Sequence, residues 1–473
     1  MFFWFVSLAG LLAKRHGAIV FPGFAFTKGR GNNPVPRQRR TMRSILAALL
    51  LCSAFSHAQV QGVRAQEARA QAAKAKSEAP SDAVGRGKAL TEAADCGGCH
   101  TADPAKPFAG GKRIESHFGA IYSPNLTPDR DTGIGNWSDD DFYRALHDGI
   151  APNGARYYPA FPYPNFTRMT RDDVLAIRAY LATLAPVHNT RPPAELRWPY
   201  KYRALMRAWD WLFFHPHTFT PNPNKSAEWN RGAYLVKGAA HCGACHSPKN
   251  WLGAIRRGHA FGGSPVAGWF APRLDGAARS GLKSWSVDDL VEYLQSGRNA
   301  RSNADGPMAD VVVNSTSKMS DADVHAMAVY LKDLPAHTPE PAAARPSQRQ
   351  MADGEKIYKG TCVACHEIDG SGSPRIYPPL PGNANLQSVN PLSTLRIILD
   401  GAETVTTPRA PNTGSMPAYD TKLTDQEIAD VATYIRNAWG NAAPAVSADQ
   451  AAKARNEARG KPRERQQASG DRH

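Results

Sequence analysis

Six cysteines carry the chemistry of this chain, and each stands in the same five-residue frame. Cys96-Gly97-Gly98-Cys99-His100, Cys242-Gly243-Ala244-Cys245-His246 and Cys362-Val363-Ala364-Cys365-His366 all read C-x-x-C-H. The spacing sets two thiols one helical turn apart, with an imidazole directly after them. Two such thiols can add across the vinyl groups of a porphyrin while the imidazole binds its iron, which is the attachment chemistry of haem c. A zinc site wants a second cysteine pair or spaced histidines. A redox C-x-x-C does not need the trailing histidine and is not expected three times. The reading is three haem c groups, held by Cys96, Cys99, Cys242, Cys245, Cys362 and Cys365. His100, His246 and His366 are then the proximal iron ligands.

A ligating imidazole usually donates its second N–H to a carbonyl, which fixes the ring. Pro124, Pro272 and Pro378 stand in a Pro-x-Leu step that recurs downstream of each motif, and they can supply that carbonyl. Simple loop closure is the alternative role for these prolines. A methionine thioether is the expected sixth ligand of an electron-transfer haem. Met416, in Gly414-Ser415-Met416-Pro417, fits that role in the third repeat. Met308, in Gly306-Pro307-Met308, fits it in the second, with Met319 as competitor. The first repeat reads Tyr158-Pro159-Ala160-Phe161-Pro162-Tyr163 in the corresponding loop, with no methionine. Met169 is the nearest choice there. It stands directly before a helix cap, as Met319 and Leu423 do, where a hydrophobic staple residue belongs. His117 is a further candidate, and an incompletely coordinated first haem is the remaining option.

The elements that must position these groups also recur. Each motif follows a short helical approach, at Gly87-Lys88-Ala89-Leu90, Gly232-Ala233-Tyr234-Leu235 and Gly354-Glu355-Lys356-Ile357. Each repeat closes with a helix that aligns residue for residue. Thr170, Ser320 and Thr424 are N-caps, and Asp173, Asp323 and Glu427 complete a capping box or its acidic variant. Val174, Val324 and Ile428 follow, and six residues later stand Tyr180, Tyr330 and Tyr434. The units run over 80–190, 226–336 and 347–440. Residues 191–225 form a connecting segment with an aromatic helix, 337–346 a Pro/Ala-rich linker, and 441–473 a flexible tail.

The chain has 473 residues and a net charge of +15. Eight of those charges fall within residues 1–58, which have no acidic residue, and the tail adds three. The middle is near +4, and no recognition motif with interleaved aromatics supports a nucleic-acid partner. Met42 opens a second start signal: Arg43, the apolar run Ile45–Phe55 and Ser56-His57-Ala58 form a secretory leader and cleavage site. Residues 1–58 are therefore read as a presequence with Met42 as the true start. Cys52 leaves with it, and the six remaining cysteines all belong to the motifs. Phe2–Leu12 has too few apolar residues to cross a bilayer of about 30 Å.

Taken together, these features resemble the three-haem cytochrome c subunit of membrane-bound periplasmic dehydrogenases that oxidise alcohols, gluconate or fructose. The resemblance rests on the three motifs and on Tyr122-Ser123-Pro124-Asn125-Leu126-Thr127-Pro128-Asp129, Gly133-Ile134-Gly135-Asn136-Trp137, Tyr158–Tyr163 and Trp229-Asn230-Arg231-Gly232-Ala233-Tyr234-Leu235. It implies a mainly α protein of three tandem class I cytochrome c domains. It also implies a catalytic partner subunit carrying pyrroloquinoline quinone, flavin or molybdenum, with electrons passed on to ubiquinone or a terminal oxidase. The expected location is the periplasm, at the outer face of the inner membrane. Some members have Met where Phe161 stands. Tyr202, Leu205, Met206, Trp209, Leu212 and Phe213 are placed on one helical face, for a membrane interface, for packing on the haem domains, or for docking the dehydrogenase. No catalytic residue is expected. The competing reading is a multihaem enzyme such as a peroxidase, with the first haem as an open catalytic iron.

Overall fold

Each repeat opens and closes with a helix, and the two cross at a glycine. In the computed structural model, which describes residues 80–116, 118–336, 339–340 and 345–459, the first repeat begins with α1 (Pro80–Ala93) and α2 (Cys96–His100). Strands β1 (Arg113–Ser116) and β2 (Gly119–Tyr122) come next, then α3 (Asp139–His147), α4 (Tyr163–Phe166) and α5 (Arg171–Leu181). The connecting segment contributes β3 (Glu195–Leu196) and α6 (Leu205–Phe213). The second repeat runs α7 (Ala227–Lys237), α8 (Gly243–His246), β4 (Ser264–Val266), β5 (Trp269–Ala271), α9 (Val287–Ser296), α10 (Pro307–Asn314) and α11 (Asp321–Lys332). The third has α12 (Gln348–Thr361), α13 (Val363–His366), α14 (Leu392–Asp400), β6 (Ala402–Glu403), β7 (Ser415–Met416), α15 (Asp425–Ile435) and α16 (Ala448–Arg459). The protein is mainly α, as expected. Its strands form small antiparallel sheets in the order β1-β2-β3, β4-β5 and β6-β7.

The crossing is tight because the glycines have no side chain. A Cβ on Gly87 would lie 1.9 Å from the Ala176 carbonyl oxygen, and one on Gly232 1.9 Å from that of Ala326. At Gly354 the corresponding approach is 2.2 Å, to Asp430. Ala176, Ala326 and Asp430 each stand six residues after their cap, so one contact occurs three times. It holds α1 on α5, α7 on α11 and α12 on α15.

The caps agree with their sequence reading, with one difference. Thr170, Ser320 and Thr424 each accept a hydrogen bond from the backbone N–H three residues on. Only Thr424 and Glu427 close the full reciprocal box. Asp173 and Asp323 have shorter side chains, and both are engaged across the crossing. Asp173 accepts from the Tyr234 hydroxyl, and Asp323 takes both arms of the Arg231 guanidinium at 2.7 and 2.9 Å.

The first two repeats share one core. Leu90, Val174, Ile177 and Leu181 from the first belong to the same buried cluster as Leu235, Leu290, Val324 and Met327 from the second. The third repeat has its own, built on Tyr358, Leu395, Leu399 and Ile428.

Two expectations need correction. The segment 441–473 is expected to be a flexible tail, yet 441–459 is folded onto the third repeat. The Asn441 amide donates to the carbonyls of Leu380 and Ile435, and Ala443 and Val446 are buried. Ser447 and Gln450 cap α16 reciprocally, and Ala451 and Ala454 bury one side of it. The small alanine face lets the helix lie close against α14 and α15. The second correction concerns α6, whose six named residues do not share one environment. Met206 is buried and Trp209 and Phe213 half-buried, whereas Tyr202, Leu205 and Leu212 are exposed. Asp210, also on α6, is drawn inward by the Tyr163 hydroxyl at 2.7 Å and by Arg156 at 3.1 Å, and this fixes the helix rotation. The presequence, residues 460–473 and His117 lie outside the described residues. Among the described residues, no helix is long and apolar enough to cross a membrane.

Candidate haem-attachment sites

Each motif forms a single helical turn directly after the first helix of its repeat. In the first two repeats the residue before the first cysteine is left-handed: Asp95 at φ 48° and His241 at φ 38°. This reverses the chain sharply and turns the motif away from the preceding helix. The six cysteines carry no disulfide. Burial pushes the Cys96 and Cys242 thiols up to about 12 and those of Cys99 and Cys362 up to about 11. Among the described residues, no group of three or more His, Cys, Asp or Glu gathers around a common point.

The three histidines are held as a proximal ligand requires. The ring Nδ1 of His100 lies 2.7 Å from the Pro124 carbonyl oxygen, and that of His246 lies 2.7 Å from Pro272. With Nδ1 donating its proton to the carbonyl, Nε2 is the free, unprotonated nitrogen. Burial lowers all three pKa values, His100 to about 4, so the neutral ligating form prevails. At His366 the Pro378 carbonyl is near enough to act on the ring electrostatically, but Nδ1 meets no partner at hydrogen-bond geometry. The anchoring role of the prolines therefore holds in full at two of the three sites.

Around the third motif lies a cavity whose empty space, mouth included, is about 1060 Å³. Cys362, His366 and Met416 all lie on its wall, among apolar neighbours such as Leu380, Ile398 and Tyr419. A thiol, an imidazole and a thioether around one apolar cavity are the donor set that a covalently attached haem needs, so the residues present fit the group. Met308 in the second repeat is half-buried and, like Tyr293 of α9, packs against the small cluster of Ala304, Ala309, Val312 and Val405. Met319 is buried in the shared core. Met169 has 0% exposure, packed in the same core and against Gly238 of the second repeat. Protein encloses it on every side, as the staple position before the Thr170 cap requires. Of the three methionines, Met416 is therefore on a cavity wall, Met308 is half-buried in the first turn of α10, and Met169 is enclosed by the shared core.

Other residues at these sites gave no sequence signal, because they depend on contacts between repeats. α10 packs on α2, and the Ser315 hydroxyl donates to the Ala93 carbonyl at 3.2 Å. Asp95 sits where the first two motifs meet, and its charge acts on Cys96, Cys99 and Cys245. Burial pushes its carboxyl up to about 7, although the Gly98 N–H and Lys112 pull it down. The second repeat also supplies Ser302, Asn303 and Asp305 to the wall of the third repeat's cavity. The Asn303 amide donates to the Ile376 carbonyl at 3.1 Å, and Arg375 pairs with Glu292.

The helical fold, with C-x-x-C-H on the turn after each first helix, defines a c-type cytochrome that carries haem c. The family model described as cytochrome c matches residues 84–185 and 351–439, within the first and third repeats. The chain is 39% identical over 382 residues to the cytochrome c subunit of the quinone-dependent alcohol dehydrogenase of Gluconobacter oxydans, covering 76% of this chain and 79% of that one. It is 37% identical over 385 residues to the gluconate 2-dehydrogenase cytochrome c subunit of Pantoea cypripedii, covering 77% and 87%. It is also 39% identical over 370 residues to a subunit of the nicotinate dehydrogenase of Pseudomonas putida, spanning 76% of this chain but 30% of that protein's length. The chain belongs to the family of cytochrome c subunits of dehydrogenases.

Proposed function

We propose that the chain is a three-haem electron relay, the subunit that takes electrons from a dehydrogenase catalytic subunit and delivers them to ubiquinone or a terminal oxidase. The observation that carries this reading is the third repeat's cavity, with Cys362, His366 and Met416 on one wall system. Cys96, Cys99 and His100 hold the first haem, and Cys242, Cys245 and His246 the second, on the same helical turn. A bound haem iron supplies one-electron redox chemistry. The protein's part is to anchor the histidines, exclude water with apolar walls and set the spacing between sites. Met308 and Met416 serve as sixth ligands of the second and third haems.

The contacts between repeats support a linear order. α10 of the second repeat packs on α2, which bears the first motif, and residues 302–305 reach from the second repeat to the third cavity. The units 80–190, 226–336 and 347–440 are the three cytochrome domains of the relay. The relatives' names mention alcohol, gluconate and nicotinate. The same carrier design therefore serves partners with different substrates, and a quinoprotein, flavoprotein or molybdenum subunit would all suit it.

Export and a membrane surface complete the reading. Attachment of haem c to an exported chain suits the leader read at Met42–Ala58 and a periplasmic site at the inner membrane. Trp198, Tyr202, Leu205, Trp211, Leu212 and Trp251 are exposed together with Lys201, Arg203, Arg207 and Arg256. The Trp209 indole N–H donates to the Leu252 carbonyl at 3.0 Å, which joins α6 to the loop bearing Trp251. Aromatic and cationic side chains in one patch suit a lipid headgroup region. The test is reduction kinetics: the purified chain, mixed with the reduced dehydrogenase encoded beside it, should be reduced and then reoxidised by a ubiquinone analogue. Failure of all three haems to accept electrons from that enzyme would contradict the proposal.

A further inference from the structure

We infer that the first haem site, unlike the other two, is given no sixth ligand by the described residues and is a binding site for a small neutral exogenous ligand. This rests on the relay reading above. Met308, in the first turn of α10, and Met416, in β7, stand in the segment between the third helix and the closing helix of their repeats. In the first repeat that segment presents Phe161. Its ring lies in an aromatic group, 5.3 Å from Tyr157 and 5.6 Å from Phe166. A phenyl ring cannot donate to iron.

The other donors near this loop are already engaged. Met169 is fully enclosed. His147 binds the Asp148 carboxylate through Nδ1 at 2.7 Å and stacks on Tyr143. The hydroxyls of Tyr158 and Tyr163 donate to the Tyr200 carbonyl and to Asp210. Tyr157 is the phenol of this loop with no hydrogen-bond partner among the described residues. Cys96, Tyr157 and Phe161 all pack against the same buried cluster, so the loop and the first motif share one core. A haem held by His100 would meet in this loop an apolar aromatic wall with one free hydroxyl and no thioether. Such a wall admits a small neutral ligand and repels an anion.

Carbon monoxide is the probe. The full-length holoprotein is reduced with dithionite and titrated with carbon monoxide, and the same sample is counted for haem as the pyridine haemochrome. One carbon monoxide per three haems is expected. Phe161→Met should abolish the uptake and raise the thioether-to-iron charge-transfer absorbance of the oxidised protein by half, from two bonds to three. Met169→Leu should change neither. No uptake by protein with three haems overturns the inference and leaves the relay intact, and so does loss of a thioether bond in Met169→Leu. Fewer than three haems overturns the relay as well.

Discussion

Asp95 carries a carboxylate oxygen that is buried without a partner, in the turn just before the first C-x-x-C-H motif. Its folded-state pKa is raised from 3.8 to about 7 by burial. Between those values the folded chain holds a proton that the unfolded chain has released, so stability falls as pH rises from about 4 to about 7 and then levels. Asp95→Asn should remove that fall, so the variant gains relative stability as pH increases. Denaturant midpoints of the oxidised holoprotein across that range would show it, and parallel pH curves for the two proteins would count against it. Met416 gives a second residue-scale prediction. Met416→Leu should halve the thioether-to-iron absorbance, leaving the Met308 bond, and lower the potential of one haem, because a thioether ligand raises it. An unchanged spectrum would remove Met416 from the ligand set. The nine cysteines and histidines stand out in the sequence because covalent attachment imposes a rigid local spacing. Met169 is ambiguous there because a thioether suits both a core and an iron, and the structure adds that it is fully enclosed.

Among the elements, the crossing of first and last helices bears most on the fold. Gly354→Ala would push a methyl to within 2.2 Å of the Asp430 carbonyl and force α12 off α15. A loss of about 3 kcal/mol or more is expected from such overpacking, measured by chemical denaturation. A loss of the size that helix propensity gives, with alanine slightly favoured over glycine, would contradict the tight crossing. The glycines and caps were visible in sequence as a threefold repeat, though the carbonyl each glycine faces was not. The C-terminal helix is the reverse case. Its signal, Ser447 and Gln450 as a capping box before Ala451 and Ala454, was present but masked by a charged, alanine-rich composition. Removing the cap by Ser447→Ala should cost about 1 kcal/mol. Truncation after 440 should cost more, since it also removes Pro444, whose carbonyl the fully buried Arg436 guanidinium reaches at 3.3 Å.

On the scale of the whole molecule, three copies of one plan have become unequal through their contacts. The first and second repeats fuse into one core, while the third keeps its own and borrows part of its cavity wall. None of this was readable from the repeats themselves, because side chains that join different copies follow no sequence period. The exposed aromatic face was partly legible: its residues were named, but the inward turn forced by Asp210 was not. If that face meets lipid, Trp211→Ser and Trp251→Ser should each weaken binding to anionic vesicles by about tenfold, the factor that about 1.4 kcal/mol makes. Equal sedimentation of variant and parent would point to another use for the face.

The number of haems decides what this molecule can do. The pyridine haemochrome of the purified full-length chain, set against its protein concentration and combined with thiol titration under denaturing conditions, tests it directly. Three haems per chain and no titratable thiol among Cys96, Cys99, Cys242, Cys245, Cys362 and Cys365 are predicted. Two haems or fewer, or a pair of free thiols in any motif, would contradict it.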